Sequence, residues 1–140
     1  MENENVTSTQ NELATPVNRI LAALIDGILV SVVAYILMTM SSSLQYVGSA
    51  LGIVYMIIKD TLPALQGQSI GKKAMNIMVV NEDTGESIEG DYAAGAIRAL
   101  PLIIPFLNFI GIIVETVMLF SDDDHRRFGD KWGKTKVIKK

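Results

Sequence analysis

Apolar residues in this chain fall in long blocks, not at the spacing of one half-buried helix face. The longest, 20-ILAALIDGILVSVVAYILMTM-40, carries one charge in 21 residues. As a helix it measures ~31 Å, about one bilayer hydrocarbon core. A signal peptide would have a shorter apolar region and then a small-residue cleavage site. Here 41-SSSLQ-45 leads straight into another apolar block, so the pattern predicts an uncleaved membrane helix. Thr15 supplies a capping hydroxyl and Pro16 a preset first turn, which places this helix at 15–40. A second helix is predicted over 44–62, with Pro63 as its stop.

A polar region, 66–92, separates these helices from the last apolar block. Within it 74-AMNIMVV-80 has strand composition and 81-NEDTGES-87 is rich in turn formers, with Gly85 suited to a left-handed conformation. The pattern predicts a small β-hairpin outside the bilayer. The strand at 74–80 is expected to pair with 88–91 or with the strand-like 135–138 of the tail. The block 93–120 can be read two ways. One straight span would place the termini on opposite faces. A bend at 105–108, among the breakers Pro101, Pro105, Asn108 and Gly111, would make it a helical hairpin. The fold class expected is an all-α integral membrane protein with two long transmembrane helices, a broken or hairpin third segment and a small cytoplasmic β-hairpin. It forms one membrane domain, 15–140, after a polar N-terminus, 1–14, expected to be disordered.

Charge decides the orientation. The net charge of −3 hides a segregation: residues 1–14 hold three glutamates and no base, and 126–140 hold seven Lys/Arg against Asp130 alone. Such a tail beside membrane helices reads as an anchor on anionic lipid at the inner face, not as a nucleic-acid site. The bent reading of 93–120 keeps that tail inside, so both termini are expected in the cytoplasm of a multi-pass cell (inner) membrane protein. The chain has no cysteine, which excludes disulfides, thiolate metal sites and cysteine catalysis.

Three stretches carry the remaining chemistry: 19-RILAALID-26, 67-GQSIGKKAMNIMVV-80 and 127-RFGDKWGKTKV-137. In this order they resemble the motifs R-L-x-A-x-x-I-D, G-Q-T-x-G-K-K and R-L-G-D-x-x-x-x-T-x-V of the RDD family of small prokaryotic integral membrane proteins. The resemblance runs over roughly 16–138. It implies that Arg19, Asp26 and Asp130 are signature charges, with Asp60 a looser match. It also implies transport of unidentified ligands, with alkali-cation/proton antiport suggested for some members. The tail departs from the pattern at 131-KWGK-134, which leaves the packing around Thr135 open.

Arg19 and Asp26 lie seven residues apart, hence on one helix face but ~10 Å apart along the axis, too far for a tight pair. An aspartate at a helix centre costs roughly 2.5–3.5 kcal/mol on insertion, so Asp26 is expected to face protein or water. Either it pairs with Lys59, Arg98 or Arg19 and fixes helix registration, or it is a proton or cation carboxylate with Asp60 as neighbour. Glu115 is a further candidate for the ion or proton site. Arg98 is expected to snorkel or pair internally, and Asp130 to tie the tail to the inner face through Arg127 or the first helix. Arg19 is expected to serve as an interfacial anchor.

Two other signals fail. In 67-GQSIGKK-73 three residues separate the glycines where a phosphate loop needs four, and no Ser or Thr follows the lysine. The run 122-DDDH-125 offers one histidine among solvated acids, a poor metal site. No cofactor site and no nucleophile–base pair is visible, so an enzyme is not expected. The function expected is transport of ions or small solutes; the alternative is a membrane adaptor docking a partner through its hairpin and basic tail. Short spans around a polar path favour a homo-oligomer, such as a dimer, and Gly48 and Gly52 offer a small-residue seam either for it or for packing helices within one chain.

Overall fold

The computed structural model describes residues 12–104 and 108–140. Helix α1 runs Pro16–Met40. Its start is the expected one: the Thr15 hydroxyl accepts the Asn18 N–H at 3.3 Å, with Pro16 in the first turn. Among its residues only Arg19, Ala22 and Asp26 are buried, so nearly its whole apolar surface faces outward. Helix α2 (Leu44–Ile58) returns alongside it. Its two glycines lie on the shared seam. A Cβ at Gly48 would sit 3.1 Å from the Ala34 backbone, and one at Gly52 2.7 Å from Val30.

α2 ends four residues before the expected Leu62. The Thr61 hydroxyl and N–H both donate to the Ile58 carbonyl, each at 2.9 Å, and close the helix in a tight turn. A 3-10 turn (Pro63–Leu65) and the short helix α3 (Ile70–Ala74) follow, bent by 64° from α2. α3 packs under the start of α1.

The hairpin expected within 66–92 does not form as a hairpin. Strand β1 (Ile77–Asn81) pairs antiparallel with β2 (Thr135–Lys139), from Ile77 opposite Lys139 to Asn81 opposite Thr135. The other expected partner, 88–91, contributes one hydrogen bond, Ile88 N–H to Val79 at 3.4 Å, beside a single bridge from Val80 to Ser87. Side-chain composition accounts for the choice. The run 88-IEGD-91 offers one apolar residue and a glycine, whereas 135-TKVIK-139 offers three β-branched residues to the pleat. Gly85 takes the left-handed conformation expected of it (φ +71°). Residues 12–14, assigned to the polar N-terminus, lie on β2: the Ala14 N–H donates to Val137 at 3.0 Å, and Leu13 bridges Ile138. Ala14, Ala22, Ile77, Val79, Ile88 and Val137 form the core of this end of the molecule.

The block 93–120 contains two helices, α4 (Tyr92–Ile103) and α5 (Asn108–Ser121). They pack together, and a Cβ on Gly111 would lie 2.7 Å from the Pro101 carbonyl. The bend expected at 105–108 falls largely outside the described residues. Its consequence does not: the chain leaves α5, forms α6 (Phe128–Trp132) against α4, and runs into β2 beside β1. The block therefore enters and leaves on the same side of the molecule. Among the described residues one helix is long and apolar enough to cross a membrane, and a second crossing exists if α2 and the bent segment after it form one span. Phe109, Tyr46 and Ile28 are each more than 60% exposed, a distribution suited to a bilayer and not to water.

Candidate functional site

The charged side chains gather where the membrane helices meet the sheet. Asp26, about three turns into α1, is 1% exposed and fully engaged. Its carboxylate accepts from the Lys59 ammonium at 2.9 Å, the Tyr55 hydroxyl at 2.9 Å and the Gly71 N–H at 2.8 Å. The last bond explains the glycine in 67-GQSIGKK-73. α3 is pressed so closely on α1 that a Cβ at Gly71 would lie 2.0 Å from the Ala22 carbonyl oxygen. With that contact allowed, a free N–H at the start of α3 reaches a buried carboxylate. The same run supplies Ser69, whose hydroxyl caps α3 through the Lys72 N–H, and Gln68, whose amide donates to Ile77 at 3.0 Å and holds β1.

A second centre is Asp130, 0% exposed. Arg19 donates to its Oδ2, Arg98 lies 3.0 Å from Oδ1, and Arg127 is 3.7 Å from Oδ2 and donates its backbone N–H at 3.1 Å. Arg19 also donates to the His125 carbonyl. Thr135 accepts from Arg98 at 2.7 Å, which places it inside the network in spite of the altered 131-KWGK-134. A Cβ at Gly129 would lie 2.2 Å from the Arg98 carbonyl oxygen, so this glycine lets α6 press onto α4. Burial alone would raise the Asp130 carboxyl, but Arg19, Arg98 and Arg127 together hold it well below the usual carboxylate range.

Arg98 extends the network to Asp60 at 3.6 Å, and Asp60 binds Lys72 at 2.5 Å. Glu115 of α5 accepts the Gly129 N–H at 3.3 Å and faces Arg127 Nε at 3.4 Å. Of the groups singled out in the sequence, Arg19, Asp60, Arg98, Glu115, Arg127 and Asp130 thus share one network. Asp26 and Lys59 form a neighbouring pair. Asp26 and Asp60, considered as adjacent carboxylates, each have a lysine of their own. Tyr55, Gly71, Lys72 and Thr135 were missed as site residues. Lys72 was visible only as part of a basic pair, while the partner of Tyr55 is set by the α1–α2 crossing, which no local motif encodes. The acidic run 122-DDDH-125 is used locally, Asp122 accepting the Arg126 N–H at 3.0 Å.

Beside this network lies a cavity of about 1120 Å³ between α1, α2 and the α4–α5 hairpin. Arg19, Asp26, Lys59, Lys72, Glu115 and Arg127 line its charged end, and apolar side chains from Ile20 to Tyr35 form its α1 wall.

A long apolar helix, outward-facing apolar surfaces and a buried charge network at one end define a small helical membrane-associated protein. The model of one protein family, the RDD family, matches residues 13–134, and the chain belongs to that family. No curated protein and no solved structure matches it.

Proposed function

We propose that the protein is a small carrier of ions or solutes, with the Lys59–Asp26 pair as its exchange site. The carrying observation is that both members line the cavity although each side chain is at most a tenth exposed. A carboxylate buried at membrane depth is costly unless paired, and here its partner is a lysine that can leave. An alkali cation entering the cavity would take the Asp26 oxygens, and the displaced Lys59 would give up one proton to the water there. One cation taken for one proton released is cation/proton antiport at one site, an activity the family resemblance suggests for some members. In proteoliposomes carrying a pH-sensitive dye, the native chain should show pH-dependent cation flux, and Asp26→Asn should abolish it. Because a stranded Lys59 would also destabilise the protein, Asp26→Asn with Lys59→Gln is the cleaner variant. Undiminished flux in that folded double variant would overturn the reading.

The same proposal places the sheet, both termini and the basic tail in the cytoplasm of the cell membrane. The seven bases of 126–140 and Lys72–Lys73 lie at that end. An impermeant thiol reagent applied to intact cells should label a cysteine at Ser43 and spare one at Ser121. Labelling of both would reverse the assignment of α5.

A further inference from the structure

We propose that the cavity between α1 and α5 is the seat of one anionic phospholipid with hydroxyls on its headgroup. Its head lies on the charged end and an acyl chain runs along α1. This does not depend on transport: the headgroup is placed at Arg127 and Glu115, apart from the Lys59–Asp26 pair, and the lipid is a resident that completes the helix bundle.

Shape is the first argument. Beyond Asp26 the α1 wall carries no charge from Gly27 to Tyr35, ~12 Å of helix, enough for the first half of an extended acyl chain, and the charges are confined to the other end. At about 1120 Å³ the space exceeds the roughly 300–1,000 Å³ of ordinary small-ligand pockets. Gly27 opens the wall further, since a Cβ there would meet nothing within 4 Å.

Charge is the second. Among the described residues the buried charged groups balance, Arg19, Lys59, Lys72 and Arg98 against Asp26, Asp60, Glu115 and Asp130, and the half-buried Arg127 adds a cation at the cavity. The groups that line the cavity are four cations and two carboxylates. A cation at the edge of an apolar cavity gains from an anionic partner, and a monoanionic headgroup supplies one. A zwitterionic headgroup would not.

Unused hydrogen-bonding groups are the third. Arg127 Nε and Glu115 Oε2 face each other at 3.4 Å, yet neither makes a hydrogen bond. Glu115 is 3% exposed, so water does not replace the missing partner. A phosphodiester oxygen accepts from Arg127, and a headgroup hydroxyl donates to Glu115.

The test is native mass spectrometry of the delipidated full chain after exposure to phosphatidylcholine vesicles with or without phosphatidylglycerol. One phosphatidylglycerol should be retained per chain, at least about tenfold over phosphatidylcholine, the worth of one charge-assisted hydrogen bond. Gly27→Phe fills the chain path without touching the network. It should lower that retention about tenfold while the melting temperature of the lipid-free protein holds. Arg127→Gln should lower it similarly wherever the variant folds. Equal retention of the two lipids by the native chain would overturn the proposal. So would native-like retention in Gly27→Phe, displacement of the lipid by millimolar inorganic phosphate, or a second copy of the chain held in place of lipid.

Discussion

Asp130→Ala is expected to cost about 3–5 kcal/mol, a large share of the roughly 5–15 kcal/mol by which a protein of ordinary stability is folded. Asp130 is the common carboxylate of Arg19, Arg98 and Arg127, and its side chain is wholly buried. Removing it leaves three guanidinium groups around one site with little water to replace it. Those arginines come from three places in the chain, α1, α4 and the turn before α6, so the loss would part α6 and β2 from the helices. The Lys139–Glu12 pair is the contrast, because Glu12 is largely exposed. Glu12→Ala should cost no more than about 1 kcal/mol. Thermal melts in detergent compare the two; equal, small shifts would show that the arginines are solvated and the network carries no stability. Acid should act through the same carboxyl. Its pKa in the folded protein is depressed, so its contribution is complete above the unfolded value of roughly 3.9 and is lost as pH falls through the folded one. The native chain should therefore keep its melting temperature down to about pH 4 and lose it below.

Local signals in the sequence reached the elements more surely than their partners. α1 was legible because its start depends on adjacent residues, Thr15 and Pro16, and its length on a single apolar run. Helical rise alone keeps Arg19 and Asp26 apart, so of the three partners expected for Asp26 only Lys59 binds it. What each does pair with depends on chain returns of over thirty and over a hundred residues: Lys59 for Asp26, Asp130 for Arg19. The family resemblance singled out Asp130, and a tail held through Arg127 or the first helix was the role expected of it; the return of the tail also brings β2 to β1. The hairpin expectation failed because a turn sequence at 81–87 says where the chain reverses, not whether the next residues can hold a strand. The end of α2 was missed for a related reason. Lys59, Asp60 and Thr61 are tolerable in a helix, but here their side chains are buried against α1, α3 and α4, and they leave the helix to get there.

Gly71→Ala is expected to be nearly as damaging, although it adds one methyl group. That methyl would lie 2.0 Å from a backbone oxygen of α1, and neither backbone is a flexible chain end that can step aside. α3 must move off α1, which breaks the Gly71 N–H bond to Asp26 and loosens the Lys72–Asp60 contact carried by the same short helix. Overpacking of about 1–3 kcal/mol and the loss of a hydrogen bond to a charged group, about 1.5–3 kcal/mol, place the cost near 3 kcal/mol or above. Gly27→Ala separates this from any general intolerance of glycine changes. It lies in the middle of α1 with open space around it, so it should be neutral or stabilise by up to about 1 kcal/mol through helix propensity. If both variants melt with the native chain, α3 is not held against α1. The Asp26 carboxylate would then lose its backbone donor, and the proposed exchange site would rest on Lys59 and Tyr55 alone.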